Sequence, residues 1–285
     1  MSNLGNTLLA CINEVGRRTP KAIQRRIADF PGVLAIFDLL SRNQTKFVLT
    51  EEGFSLAINP LLHSNLLASG DLAGYEPELR RKILEVTRPG MVVYDIGANV
   101  GVFSFLFFSL VRRGAGVVYA FEPEPNNIAC FERTLAKSGT PGVILCKQAV
   151  GRAPGTERFD RRGGAFSGRL VGPAESYAPT KNIALVETTS VDTLVLERGF
   201  RPPDIVKIDV EGNEGLVLEG MAKVLDQYHP MILCEVHTHL GDAGDLVLKI
   251  LSSHGYSIAG LDGTPIDAAS CSATNIPGYI VAVRP

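Results

Sequence analysis

The sequence predicts a doubly wound, mostly parallel α/β sheet, and three observations carry that expectation. The first is the stretch Val92-Val93-Tyr94-Asp95-Ile96-Gly97-Ala98-Asn99-Val100-Gly101-Val102-Phe103-Ser104. There an apolar β-branched run ends at an acid, turns on two glycines and enters a second apolar run, which reads as buried strand, tight turn and helix. The second is the alternation of short β-branched runs with helix-length segments after residue 92, the pattern of βα units. The third is that these runs are apolar throughout, as strands covered on both faces must be. Together they define a Rossmann-like fold whose ligands bind at the carboxyl ends of the strands.

Ahead of that sheet lies an extension over residues 1–74. Leu4, Leu8, Ile12 and Val15 share a helical face, and Pro20 opens a second helix with Ile23, Ile27 and Phe30. Arg17, Arg18, Lys21, Arg25 and Arg26 make the join basic. It suits either a packed appendage with solvated charges or a surface helix for an anionic membrane or partner. Residues 47–58 read as a small hairpin around Glu52-Gly53.

The second unit, residues 75–285, then runs in order. A helix at 78–87 ends before Pro89-Gly90 and delivers the chain to strand 92–96. Helix 100–112, strand 116–121, helix 125–137 and strand 143–149 follow. Phe105 and Phe108 make the outer face of the helix at 100–112 apolar, so something must cover it, with the N-terminal helices as candidates. Residues 151–180 are rich in glycine and proline and read as a long loop. Strand 183–188, a short helix from Val191, strand 204–209, helix 213–228, strand 231–236, helix 242–254 and strands 256–261 and 279–283 complete the alternation.

Composition bounds the rest. With 45% hydrophobic and 20% charged residues, the 285-residue chain is an ordinary folded protein. A net charge of −2 gives no electrostatic case for nucleic acid. The five cysteines are odd in number and form no C-x-x-C, so free thiols in a reducing compartment are expected. With no leader-like pattern, that makes the expected location cytoplasmic. No apolar run is long enough to span a bilayer. Oligomeric state is not legible.

The glycine turn separates two ligand classes. A dinucleotide fingerprint starting at Gly97 needs glycines at 99 and 102, where Asn99 and Val102 stand. Instead the spacing is D-x-G-x-x-x-G, from Asp95 through Gly97 to Gly101. Glu122 ends the next strand, where a carboxylate can accept from both ribose hydroxyls. A phosphate-free nucleoside fits this pair, and Asp95 suits a ligand carrying an amino group and a sulfonium. The ligand so implied is S-adenosylmethionine, with Asp95, Gly97, Asn99, Gly101 and Glu122 as the binding residues.

Lys207-Ile208-Asp209-Val210-Glu211-Gly212 closes the fourth parallel strand, aiming Asp209 and Glu211 at the same crevice. Glu235-Val236-His237 closes the fifth. At its ordinary pKa of about 6.5, His237 is the usable base near neutrality. Asp209, Glu211, Glu235 and His237 could also hold a divalent cation. His63, His229 and His254 fall in turns or at a helix end and carry no assignment.

These motifs, with Tyr75-Glu76-Pro77-Glu78, Val191-Asp192-Thr193-Leu194 and the run Lys207–Glu214, resemble the FkbM family of S-adenosylmethionine-dependent methyltransferases. The resemblance covers the chain from about Tyr75 onward. It implies the class I methyltransferase fold, a place for Gln148 and Ala149 beside the adenine, and a further cofactor contact for Asp209. With the acids of the fourth strand, it implies methyl transfer to a hydroxyl on a small molecule, natural product or glycan; Asp209, His237 and Glu211, at the carboxyl ends of their strands, are the candidate catalytic residues. A (D/N)-P-P-(Y/F) turn, typical of nucleobase amino-group methylation, is absent from the fourth strand. A non-catalytic S-adenosylmethionine-binding scaffold and an NAD-dependent oxidoreductase on the same fold are the alternatives.

Overall fold

The computed structural model describes residues 44–60, 62–67, 72, 74–161, 168–171, 183–238, 243–268, 276 and 278–284. The two basic helices read over residues 3–30 lie outside these, as do Cys11, Cys271, Arg162 and His239. Cys130, Cys146 and Cys234 are free thiols.

Among the described residues, seven strands form the main sheet. β3 (Val92–Ile96), β4 (Val117–Phe121), β5 (Val143–Cys146), β10 (Ile205–Ile208) and β11 (Met231–Glu235) are its parallel members. β13 (Tyr279–Val283) runs antiparallel between β11 and β12 (Ser257–Gly260), and the order is β12-β13-β11-β10-β3-β4-β5. Every residue of β3 and β10 is buried, because helices cover both faces. On one face Tyr94, Ile96 and Val206 pack against α4 (Val191–Leu196), α5 (Glu214–Glu219), α6 (Ala222–Tyr228) and α7 (Ala243–Ser253). On the other, Val93 and Val118 meet α1 (Pro77–Val86), α2 (Val102–Val111) and α3 (Pro125–Ser138). The doubly wound, mostly parallel architecture expected from the sequence is the one observed.

α2 is apolar all round, and its cover is found close by. β1 (Lys46–Leu49) and β2 (Ser55–Ile58) form the expected hairpin. Its Phe54 ring lies 5.3 Å from that of Phe105, with Leu56 and Ile58 in the same core. Thr134 on α3 pins the hairpin by accepting from the Ala57 amide at 2.8 Å.

Three expectations change. The strand read over 143–149 is two: the exposed Lys147 and half-buried Gln148 end β5, and β6 (Ala149–Val150) begins a different sheet. That second sheet, ordered β6-β9-β7-β8, contains β7 (Gly155–Asp160), β8 (Arg169–Val171) and β9 (Ile183–Thr189). Residues 155–160 and 169–171 of the supposed loop at 151–180 are therefore strand, and the run at 183–189 pairs there rather than in the main sheet. The helix read over 213–228 breaks at Gly220-Met221. A Cβ on Gly220 would lie 2.0 Å from the Gly151 carbonyl oxygen, so the two backbones touch where the helix stops.

Candidate functional site

The β3–α2 turn is built by its neighbours. The amides of Gly97 and Ala98 donate to the Phe121 carbonyl at 3.1 and 3.0 Å, and the Asp209 amide donates to Ile96. Gly97, Asn99 and Gly101 all have positive φ, at 78°, 52° and 95°. At Gly97 a Cβ would lie 1.8 Å from the Asp209 carbonyl oxygen; at Gly101 it would meet the Phe131 ring at 2.7 Å. Both glycines thus permit protein elements to pack closely, Gly97 against the β10 end and Gly101 against α3.

Beside this turn lies an open cleft at the carboxyl ends of the central strands. Gly97, Asn99, Glu122, Ala149, Asp209 and Glu211 line it. Gly101 and Gln148 do not reach its wall. Neither does Asp95, which is fully buried beneath the turn. Its Oδ2 accepts from Ser104 Oγ at 2.5 Å, and its Oδ1 lies 3.1 Å from Lys207 Nζ. Its contacts with Ser104 and Lys207 brace the turn from beneath.

Lys207 is the cation at the centre of this arrangement. Its Nζ donates to the Gly97 carbonyl at 3.0 Å and lies 3.4 Å from Asp209 Oδ2. Burial works against its charge, but Asp95, Asp209 and Glu76 outweigh that and raise its pKa.

Glu122 ends β4 almost fully buried. Its Oε2 accepts from the Asn99 amide at 2.8 Å and its Oε1 from the Glu124 amide at 2.7 Å. Burial pushes its pKa up to about 7, against these hydrogen bonds. The Asn127 side chain is a third donor to this carboxylate, which leaves one lone pair for a hydroxyl. Glu124, the N-cap of α3, is clamped by Arg161 from the end of β7, with contacts of 2.8 and 2.6 Å.

On the other side of the turn, Glu211 and Gly212 both take left-handed backbone, φ 56° and 97°, which turns the Glu211 carboxylate toward the cleft. His237 Nδ1 donates to Glu214 Oε1 at 2.7 Å, leaving Nε2 at 3.5 Å from Glu211 and 3.8 Å from Glu235. Asp209, Glu211 and His237 bring one ligand-type atom each within 4.8 Å of the others. The ordinary pKa expected for His237 is not what this setting produces. Burial opposes the charged ring, but Glu214, Glu211 and Glu235 overcome it and hold the pKa at about 9. Tyr279 Oη reaches both Glu76 and Glu235. It has one proton for two carboxyls, and burial raises the pKa of each, Glu235 to about 7.

Sequence reasoning gave no role to Lys207, Glu214, Glu76, Tyr279 or Arg161. Lys207 and Glu214 stood inside the quoted K-I-D-V-E-G-N-E run, and Glu76 inside Y-E-P-E. Tyr279 and Arg161 had no motif to mark them.

A seven-stranded sheet in this order with one reversed strand, and a cleft at the carboxyl ends of β3, β4 and β10, defines a class I methyltransferase fold. Residues 95–258 match the methyltransferase FkbM domain, and the chain belongs to that family. Among curated relatives, the hexuronic acid methyltransferase AglP of Haloferax volcanii is 29% identical over 184 residues, 64% of this chain and 70% of that protein. The 31-O-demethyl-FK506 methyltransferase FkbM of Streptomyces tacrolimicus is 31% identical over 198 residues, 60% of this chain and 74% of that protein. A crystal structure of methyltransferase FkbM from Methylobacillus flagellatus KT aligns with a TM-score of 0.46 at 16% identity, covering 71% of this chain and 50% of that one. The chain thus spans half the length of that solved protein. Among the described residues no helix is long and apolar enough to cross a membrane.

Proposed function

We propose that this protein transfers a methyl group from S-adenosylmethionine to a hydroxyl on a small molecule, natural product or glycan. The observation that carries the cofactor reading is Glu122, a buried carboxylate on the cleft wall at the end of β4, held in place by backbone amides where a ribose hydroxyl could donate to it. Asp209 and Glu211 on the same wall suit a ligand with a positive centre. S-adenosylmethionine supplies an activated sulfonium methyl. The chain's own work is to hold the acceptor in line, exclude water and take up the hydroxyl proton.

His237 is the proposed base. Glu214 accepts its Nδ1 proton and fixes the ring, so the proton from the acceptor arrives at Nε2. Glu211 and Glu235 stabilise the imidazolium that results, and Asp209 orients the acceptor. The two curated relatives support an oxygen acceptor: one is named for a hexuronic acid and the other for a 31-O-demethyl position.

Isothermal titration with S-adenosylhomocysteine and with NAD tests the cofactor. Binding of the first and not the second is expected. Glu122→Ala should weaken S-adenosylhomocysteine by about 1.5–3 kcal/mol, the scale of hydrogen bonds to a charged group. An unchanged affinity would remove Glu122 from the site.

The convergence of Asp209, Glu211 and His237 also supports a second reading, in which a divalent cation held by these side chains activates the hydroxyl. A chelator should then stop turnover, and Mg²⁺ or Mn²⁺ should restore it. Turnover indifferent to chelator would leave the acid–base route alone.

A further inference from the structure

We infer that His63, far upstream of the cofactor motifs, is a positioning residue for cofactor binding that acts on Glu122 through Asn127. This rests on the reading of Glu122 as the ribose-binding acid. His63 is fully buried, in the segment that follows the hairpin and just before the short 3₁₀ turn Ser64–Leu67. The Asn59 amide donates to its Nδ1 at 3.1 Å. An imidazole nitrogen that accepts a hydrogen bond carries no proton, so in the neutral ring the proton sits on Nε2. Burial lowers the pKa of His63 and keeps the ring in that neutral form.

The fixed tautomer has a consequence one residue further on. Nε2 lies 2.9 Å from Asn127 Oδ1 and, being a donor, requires the amide oxygen to face it. The amide nitrogen of Asn127 is thereby turned the other way. Asn127 is itself buried on the first turn of α3, lines the cleft and hydrogen-bonds the Glu122 carboxylate. An amide whose ends were exchanged would present oxygen to carboxylate and repel it. His63 therefore selects the orientation in which Asn127 supplies Glu122 with a third donor, beside the amides of Asn99 and Glu124. Three donors hold the carboxylate in one rotamer and leave one lone pair for a hydroxyl in the cleft. In this way a segment outside the matched family region sets the geometry of the cofactor acid.

Two isosteric substitutions separate this role from a merely structural one. His63→Gln keeps a donor near the Nε2 position but loses the acceptor for Asn59. His63→Asn keeps that acceptor, and with it the local turn, but loses the donor to Asn127. Titration of the full-length variants with S-adenosylhomocysteine is expected to leave His63→Gln close to wild type. His63→Asn should weaken binding about tenfold or more, on the scale of a hydrogen bond to an ionised group. The opposite ranking, or equal affinities, would overturn the proposal. In a Glu122→Ala background, His63→Asn should cause no further loss, since both act through one carboxylate. Additive losses would show that His63 acts through the fold instead. A Glu122→Ala protein that binds like wild type would overturn the ribose reading itself, whatever the His63 variants do.

Discussion

Gly97→Ala is expected to abolish S-adenosylhomocysteine binding as completely as Gly97→Val. Were Gly97 needed only to leave room for a ligand, a methyl would be tolerated better than an isopropyl group. The structure gives a different reason. A Cβ of any kind at residue 97 lies 1.8 Å from the Asp209 carbonyl oxygen, and residue 97 sits at φ 78°. Both substitutions must push apart the ends of β3 and β10, which Lys207 ties together through the Gly97 carbonyl. That displaces Asp209 and the wall of the cleft in one movement. Calorimetric titration of the two variants, with circular dichroism to show the sheet retained, checks this. A Gly97→Ala protein with near-native affinity would contradict the packing argument.

The second large effect concerns His237. If it is the base, kcat/KM should rise with pH through a limb near 9, where its carboxylate neighbours hold the ring, and not near the ordinary 6.5. His237→Gln should remove the limb and lower the rate about 10²–10⁴-fold with cofactor affinity unchanged. A limb that survives the substitution would assign proton removal to another group, Asp209 first.

Stability should follow the same groups. A histidine whose folded pKa is raised contributes stability that is fully present below about 6.5 and lost as pH rises through about 9. For His237 this is roughly 3 kcal/mol, from about 1.4 kcal/mol per pKa unit. Glu122 and Glu235, both raised from 4.5 to about 7, act in the same direction, because the folded protein retains protons that the unfolded chain has released. Tm should therefore fall as pH rises from about 5 to 9. In His237→Gln the decline above pH 6.5 should flatten.

The main sheet was legible because its strands are short, β-branched and separated by helix-length segments. The second sheet was not. β7 reads Gly-Thr-Glu-Arg-Phe-Asp, with neither alternation nor an apolar run, and it becomes a strand through its pairing with β8 and β9. The sequence placed Asp95 at the turn but did not show what holds it there. In a strand buried on both faces, side-chain alternation does not show which direction is solvent. The partner that holds Asp95 is Lys207, directly opposite on β10, a neighbour visible only once strand order is known. The His237 pKa failed for a similar reason, since Glu214 reaches it from a different element.

The hairpin over α2 bears on how this protein can be shortened. Phe54, Leu56 and Ile58 share one core with Val93, Phe105 and Phe131, and the Ala57 amide is bound to Thr134. A fragment starting at Tyr75 would keep every motif of the cofactor site yet expose the ring faces of Phe105 and Phe108 to water. Apolar patches of that kind drive self-association. Such a fragment should sediment as aggregates, whereas one starting at Thr45 should stay dispersed.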